Sequence, residues 1–291
     1  MIFDVAGPQE RGRWTGLLQT WFFFGAASTA LLSGFLTDQL GYGMALWLGA
    51  ALTTAGGLVA LFLLPETRPP AHGGAATAEA ASSEPMPASR GGLWAAHALY
   101  GVGRFIGSGV LSAVTGLVVQ AQMQPAAVLV GGVATLTGLL SARRTLCSMA
   151  AAPVAGTLSD RLAGRWRVTG WATCAGVAGF LLMVWGASGA VAGVLVASAA
   201  TGGMESLATA LTGDLAGPRQ RGRAIGLLHT AGDLGSAVGP AAAFALLPWL
   251  DLRGVYLACA GIMAVSLAPA MYFGVRERRV RHPSGSPPAS S

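Results

Sequence analysis

Hydrophobic positions along this chain fall in long uninterrupted blocks, neither in the three-four rhythm of a half-buried helix nor in the alternation of a strand. Two blocks are unambiguous, Trp14 to Leu36 and Tyr42 to Leu64, each 23 residues long and separated by Thr37-Asp38-Gln39-Leu40-Gly41. At ~1.5 Å per residue, such a helix crosses a hydrocarbon layer of ~30 Å. The pair therefore reads as a helical hairpin. From Pro65 to about Arg90 the chain is rich in Ala, Ser, Pro and Gly with scattered Glu, too little apolar area to fold, so this stretch reads as a linker. Six more blocks follow: about Leu93 to Val119, Ala127 to Ala155, Val168 to Gly186, Val191 to Thr212, Ala224 to Leu250 and Val255 to Gly274. The weakest division is at Ala187-Ser188-Gly189-Ala190, where two helices could be read as one. The pattern predicts an all-α integral membrane protein with eight transmembrane helices. Its parts are a hairpin over 1–64, a cytoplasmic linker over 65–92, a six-helix unit over 93–275 and a basic, Pro/Ser-rich tail over 276–291.

Composition agrees and narrows the class. With 53% hydrophobic and 10% charged residues and a mean hydropathy of +0.58, there is too little polar surface for a soluble enzyme or a disordered scaffold. All 18 basic residues are arginine, and the net charge is +6. They cluster at the ends of apolar blocks and not along an aromatic-studded patch, so they indicate topology, with no nucleic-acid partner implied. With the N-terminus in the cytoplasm, fourteen arginines fall inside (Arg11, Arg13, Arg68, Arg90, Arg161, Arg165, Arg167, Arg219, Arg221, Arg223, Arg276, Arg278, Arg279 and Arg281) and Arg253 alone outside. The expectation is a multi-pass cell-membrane (plasma-membrane) protein with both termini cytoplasmic. The start has no charged leader and no small-residue cleavage site, so the first crossing is expected to be retained. Cys147, Cys174 and Cys259 lie within apolar blocks and read as small packing residues.

The segment from Asp4 to Thr20 reappears as Asp214 to Thr230, an offset of 210 residues with eleven of seventeen positions identical, and Gly25/Gly235 and Ala27/Ala237 extend the match. Six helix starts lie between the copies, so the repeating unit is six helices. Gly156-Thr157-Leu158-Ser159-Asp160-Arg161, followed by Gly164-Arg165-Trp166-Arg167, resembles the G-x-x-x-D-R-x-G-R-R signature of the major facilitator superfamily (MFS), with one residue more before the final Gly-Arg. Gly226, Gly235, Gly239 and Pro240 are similar to the glycine-proline helix motif of antiporters in that family, here on the fifth helix of the second half. The resemblance implies a secondary transporter working by alternating access. The eight helices would match the fifth to twelfth of twelve: one complete half preceded by the last two helices of the other. The expectation is a truncated, inactive form lacking the first four helices. The implied partners are the bilayer, a small-molecule solute in the full-length form, and an oligomer covering the exposed half.

Five ionisable residues lie well inside predicted helices: Arg104, Arg143, Arg144, Glu205 and Asp233, with His229 one turn before Asp233. Each costs about 2.5 to 3.5 kcal/mol at a helix centre on insertion scales, so they should face a cavity or one another. These six are the candidates for solute binding or ion coupling. His229 and Asp233 share a helix face. A carboxylate beside an imidazole suits a proton carrier; the same Asp233 could instead only neutralise an arginine. Adjacent Arg143 and Arg144 point ~100° apart, so at most one looks squarely into a cavity; either could bind an anion or serve in a structural ion pair. Glu205, after Gly202-Gly203-Met204, is expected in a loosely packed stretch, facing a cavity or an arginine. Gly156, Asp160, Arg161 and Arg165 form the cytoplasmic gate motif, with Asp160 placed to cap a neighbouring helix. Gly226, Gly235, Gly239 and Pro240 are expected to serve helix packing. Trp14, Trp47, Trp171, Trp249 and Tyr256 read as interfacial anchors. No P-loop, metal-ligand spacing or nucleophile elbow is present, so the sequence points to no enzyme activity and no cofactor. The competing reading is a non-transporting membrane module that packs against or regulates a partner.

Overall fold

A computed structural model describes residues 11–63, 90–122, 132–162, 164–185, 187–217 and 220–281. Among them every regular element is helical. In chain order these are α1 (Arg11–Leu40), α2 (Tyr42–Leu63), α3 (Arg90–Arg104), a π-helical turn (Phe105–Val110), α4 (Leu111–Gln122), α5 (Val133–Arg161), α6 (Arg165–Met183), α7 (Ala187–Leu215) and α8 (Arg221–Arg281). The α3, π and α4 segments are continuous, and α8 is broken at Asp251, whose φ of 53° and ψ of 177° are not helical. Pro248 sits three residues before this break.

Helices outrun the predicted crossings because arginines outside a hydrocarbon core still continue a helix. Thus α5 runs on through Pro153 to Arg161 and α6 begins at Arg165. The expected start of the former at Ala127 lies outside the described residues. The division expected at Ala187-Ser188-Gly189-Ala190 falls earlier: α6 stops at Met183, and Ala187 already opens α7.

Two compact units emerge, Met1–Pro85 with Met123–Ala142, and Met86–Gln122 with Arg143–Ser291. In the first, Gly41 (φ 80°) ends α1 by donating its N–H to the Thr37 carbonyl at 3.0 Å, the left-handed close that glycine permits. Ala30 and Gly34 of α1 cross Ala134 and Gly138 of α5 so closely that a Cβ on either glycine would meet the opposite backbone. This is close packing of small residues, which holds helices together where lipid removes the hydrophobic drive. Asp38 completes the contact: one carboxylate oxygen accepts the Ala134 N–H (3.3 Å), the other the N–H and hydroxyl of Thr135 (both 2.6 Å). The start of α5 groups with the hairpin through these contacts, a division by packing that differs from the division by hydrophobic blocks.

The second unit follows the same chemistry. Gly179 and Gly193 let α6 and α7 touch backbone to backbone. Gly101, Phe105 and Gly109 cross Gly235 and Gly239 of α8, with Gly109 Cα 2.5 Å from where a Cβ of Gly239 would stand. The buried core is correspondingly rich in Ala, with Leu99, Ile106, Val194, Leu207, Leu228 and Met263 filling between. Tyr256, expected as an interfacial anchor, is 3% exposed and belongs to this core, whereas Trp47, Trp171 and Trp249 are outward-facing.

Candidate functional site

The π turn interrupts a long apolar helix at mid-length. Leu111 donates its N–H to the Ile106 carbonyl five residues back, so one residue is inserted and the hydrogen-bond ladder shifts. Two arginines converge there. Arg144 of α5 is buried; its Nη2 donates to the Gly107 carbonyl (2.8 Å) and to Ser112 Oγ (3.3 Å), its Nη1 to Thr115 Oγ1 (2.8 Å) and its Nε to Ser198 Oγ (3.2 Å). Neutral oxygens thus fill most of its fork, and the π-turn carbonyl gains a charged donor. Arg143, its neighbour, is exposed, as the ~100° rotation between successive residues requires.

Arg104, the last residue of α3, donates from Nη1 to Ser108 Oγ at 2.9 Å and lies 4.0 Å from Glu205 Oε2 on α7. Glu205 therefore has an arginine partner. Its approach is not through a loose stretch: Thr201 to Met204 are all buried, and a Cβ on Gly202 would strike Ser148 of α5. Next to this pair, Tyr100 OH meets His229 Nδ1 at 3.3 Å, with their rings edge to face at 5.7 Å. Gly232 makes room for Tyr100 and the Arg104 side chain. The next residue, Asp233, is exposed, and among the described residues it has no ion-pair partner. Of the six candidates, Arg104, Glu205, His229 and Asp233 thus gather on α3, α7 and α8, Arg144 reaches the same turn from beneath, and Arg143 points away.

Three contributors were not anticipated. Tyr100 and His97 look like ordinary members of an apolar block, yet His97 reaches the Ala224 carbonyl through Nε2 (2.9 Å) and the Leu93 carbonyl through Nδ1 (2.6 Å), tying α3 to the start of α8. Asp214 is the third. At the α5–α6 turn, Arg165 Nε lies 3.0 Å from Asp214 Oδ2 and its Nη2 3.7 Å from Asp160 Oδ1. Asp160 thus meets Arg165, four residues beyond its neighbour Arg161, which is exposed. The signal for Asp214 was available in the repeat, which keeps Asp4 and Asp214 in register. Of the expected packing residues, Gly235 and Gly239 line the α3 crossing, Pro240 follows them within α8, and a Cβ on Gly226 would meet nothing within 4 Å.

A family model described as Major Facilitator Superfamily matches residues 1–143 and again 93–290. The chain belongs to that superfamily. No curated protein sequence matches it. The protein is a multi-pass membrane transporter of the major facilitator type, all-α among its described residues. Among the described residues, four helical stretches, Tyr42–Leu63, Arg90–Ala121, Gly189–Leu215 and Arg221–Glu277, are long and apolar enough to span a bilayer, the last across the Asp251 break.

Proposed function

We propose that this chain is the carboxyl-terminal two-thirds of a twelve-helix secondary transporter that moves a small solute by alternating access, powered by an ion gradient. It would cross the membrane eight times with both termini in the cytoplasm, the hairpin over 1–64 corresponding to the last two helices of a first half. The 210-residue repeat supports the six-helix unit, and the arginine distribution supports the orientation. The observation that carries the functional reading is the partly open cluster of Arg104, Glu205, His229 and Asp233 at mid-helix, where ionisable groups are retained only at a cost. Asp233 is the proposed ion carrier: its carboxylate is exposed on the cluster and shares a face with His229. The Asp160–Arg165–Asp214 group is the proposed cytoplasmic gate.

The test uses a twelve-helix extension of the chain in liposomes. Asp233→Asn is expected to abolish gradient-driven uptake or efflux while solute exchange across the membrane continues. Full gradient-driven activity in Asp233→Asn would return Asp233 to a structural role.

A further inference from the structure

The two arginines at the π turn are used differently. Arg144 has four N–H···O contacts and is 9% exposed; its fork is committed to the protein. Arg104 has a single hydrogen bond among the described residues, to Ser108, and its side chain is 30% exposed. Glu205 is 24% exposed, and its carboxylate lies 4.0 Å from Arg104, beyond hydrogen-bond reach. A guanidinium and a carboxylate therefore face one another with most donors and acceptors unfilled. The surrounding charge is balanced, Arg104 and Arg144 against Glu205 and Asp233. A solute carrying net charge would leave one charge uncompensated at membrane depth, whereas a solute with one charge of each sign would not.

We propose that Arg104 and Glu205 bind the two ends of a zwitterionic solute, the anionic group on the Arg104 fork and a cationic amine on Glu205. A planar guanidinium takes a carboxylate in two parallel hydrogen bonds, and an ammonium has three donors for the Glu205 oxygens. Ser108 holds Arg104 from its own helix, one turn on, and so orients the fork while taking one N–H of Nη1 and leaving the other four for a ligand. The proposal rests on the transporter reading for the statement that the ligand is the transported solute; the site itself does not depend on that reading.

The test uses the purified 291-residue chain in lipid nanodiscs and the arginine reagent phenylglyoxal, with modification of Arg104 read by peptide mass spectrometry relative to free N-acetylarginine in the same tube, which corrects for reagent consumed by amines, and Arg144 as the shielded internal control. The probes are glycine, acetate and methylamine at equal concentration and ionic strength, which carry both charges, the negative one or the positive one on skeletons too small to be excluded by shape. Glycine is expected to slow modification of Arg104 about fivefold more than acetate or methylamine. In Glu205→Gln that advantage of glycine over acetate should vanish while Arg104 stays reactive, and in Glu205→Asp it should persist. Equal protection by acetate and glycine, no protection by any probe, or a glycine preference that survives Glu205→Gln would overturn the proposal. Protection by glycine with no transport from the twelve-helix form would keep the site and remove the transporter reading; transport without protection would do the reverse.

Discussion

At the scale of single residues, Asp38 works without a cation. In the turn after the first predicted crossing, its carboxylate takes the Ala134 and Thr135 N–H groups and the Thr135 hydroxyl at the start of α5, where the helix dipole also favours a negative charge. Burial pushes its carboxyl up, but the Thr135 and Ala134 hydrogen bonds outweigh that and hold it below the ordinary carboxylate value. A group whose value is lowered by folding stabilises the protein fully above its unfolded value and loses that contribution as pH falls through its folded one. Thermal melts should therefore show Asp38→Ala less stable than the parent by about 1 kcal/mol at neutral pH, the usual worth of a helix cap. The difference should shrink below about pH 4, where the unfolded chain's carboxylate also protonates; a difference that is flat with pH would mean that the carboxylate charge contributes nothing. The sequence named Thr37 to Gly41 as a turn but could not assign Asp38, because its partners lie 96 and 97 residues away. Arg104, Glu205 and Asp233 were legible for the opposite reason: an ionisable side chain inside an apolar block is conspicuous before any contact is known. Tyr100 and His97 were not, since an aromatic or a histidine in such a block has many uses.

At the scale of helices, the apolar blocks located helical structure, because a long apolar stretch favours a helix, and the last two blocks run together in α8 across the break at Asp251. Their pairing required glycine positions. Gly235 and Gly239 were picked out by resemblance, and their partners Gly101 and Gly109 became visible only in the crossing. Gly239→Ala places a methyl 2.6 Å from the Phe105 carbonyl oxygen and 2.5 Å from Gly109 Cα, both backbone, so the helices must part. Loss of about 1–3 kcal/mol is expected in denaturant unfolding of the purified protein. Gly226→Ala, with open space around it, should leave the transition in place. A comparable contrast separates the two arginines of the signature. Arg165 ties the ends of α5 and α7 together at the start of α6, whereas Arg161 is exposed. Arg165→Gln should increase the reactivity of a cysteine placed at Ser159, which is buried, towards a water-soluble maleimide, as the helix ends separate, and Arg161→Gln should not. Equal effects of the two would make the motif plain surface charge.

At the scale of the whole molecule, the repeat turns exposure into an expectation about activity. Displaced by 210 residues, Gly49, Thr53, Gly56 and Ala60 of α2 correspond to Cys259, Met263, Ser266 and Ala270 of α8, and the latter four are buried while the former four are exposed. In the second unit that face is buried; in the hairpin it is exposed, as are Trp21, Phe22 and Phe24 of α1. The small residues are suited to a neighbouring helix more than to lipid chains. Topology must hold for this correspondence to have meaning. Reporter fusions after Gly41, Pro125, Ser188 and Asp251 are expected outside, and those after Ala80, Arg165, Gly217 and Arg281 inside. A cytoplasmic reading at Ser188 would undo the pairing of halves, since α7 would then no longer occupy an even place, the sixth, in the order. Granted that order, a solute path in this architecture is walled by both halves, and the polar groups of the Arg104–Glu205 cluster would have no matching wall from two helices alone. The 291-residue chain by itself should therefore catalyse no gradient-driven flux in liposomes and should either be degraded in cells or migrate as an oligomer in detergent. Adding four amino-terminal helices should restore a monomer and, with it, flux. Robust transport by the 291-residue monomer would show that the hairpin suffices as the second wall, and the correspondence between α2 and the far arm of α8 would lose its functional weight.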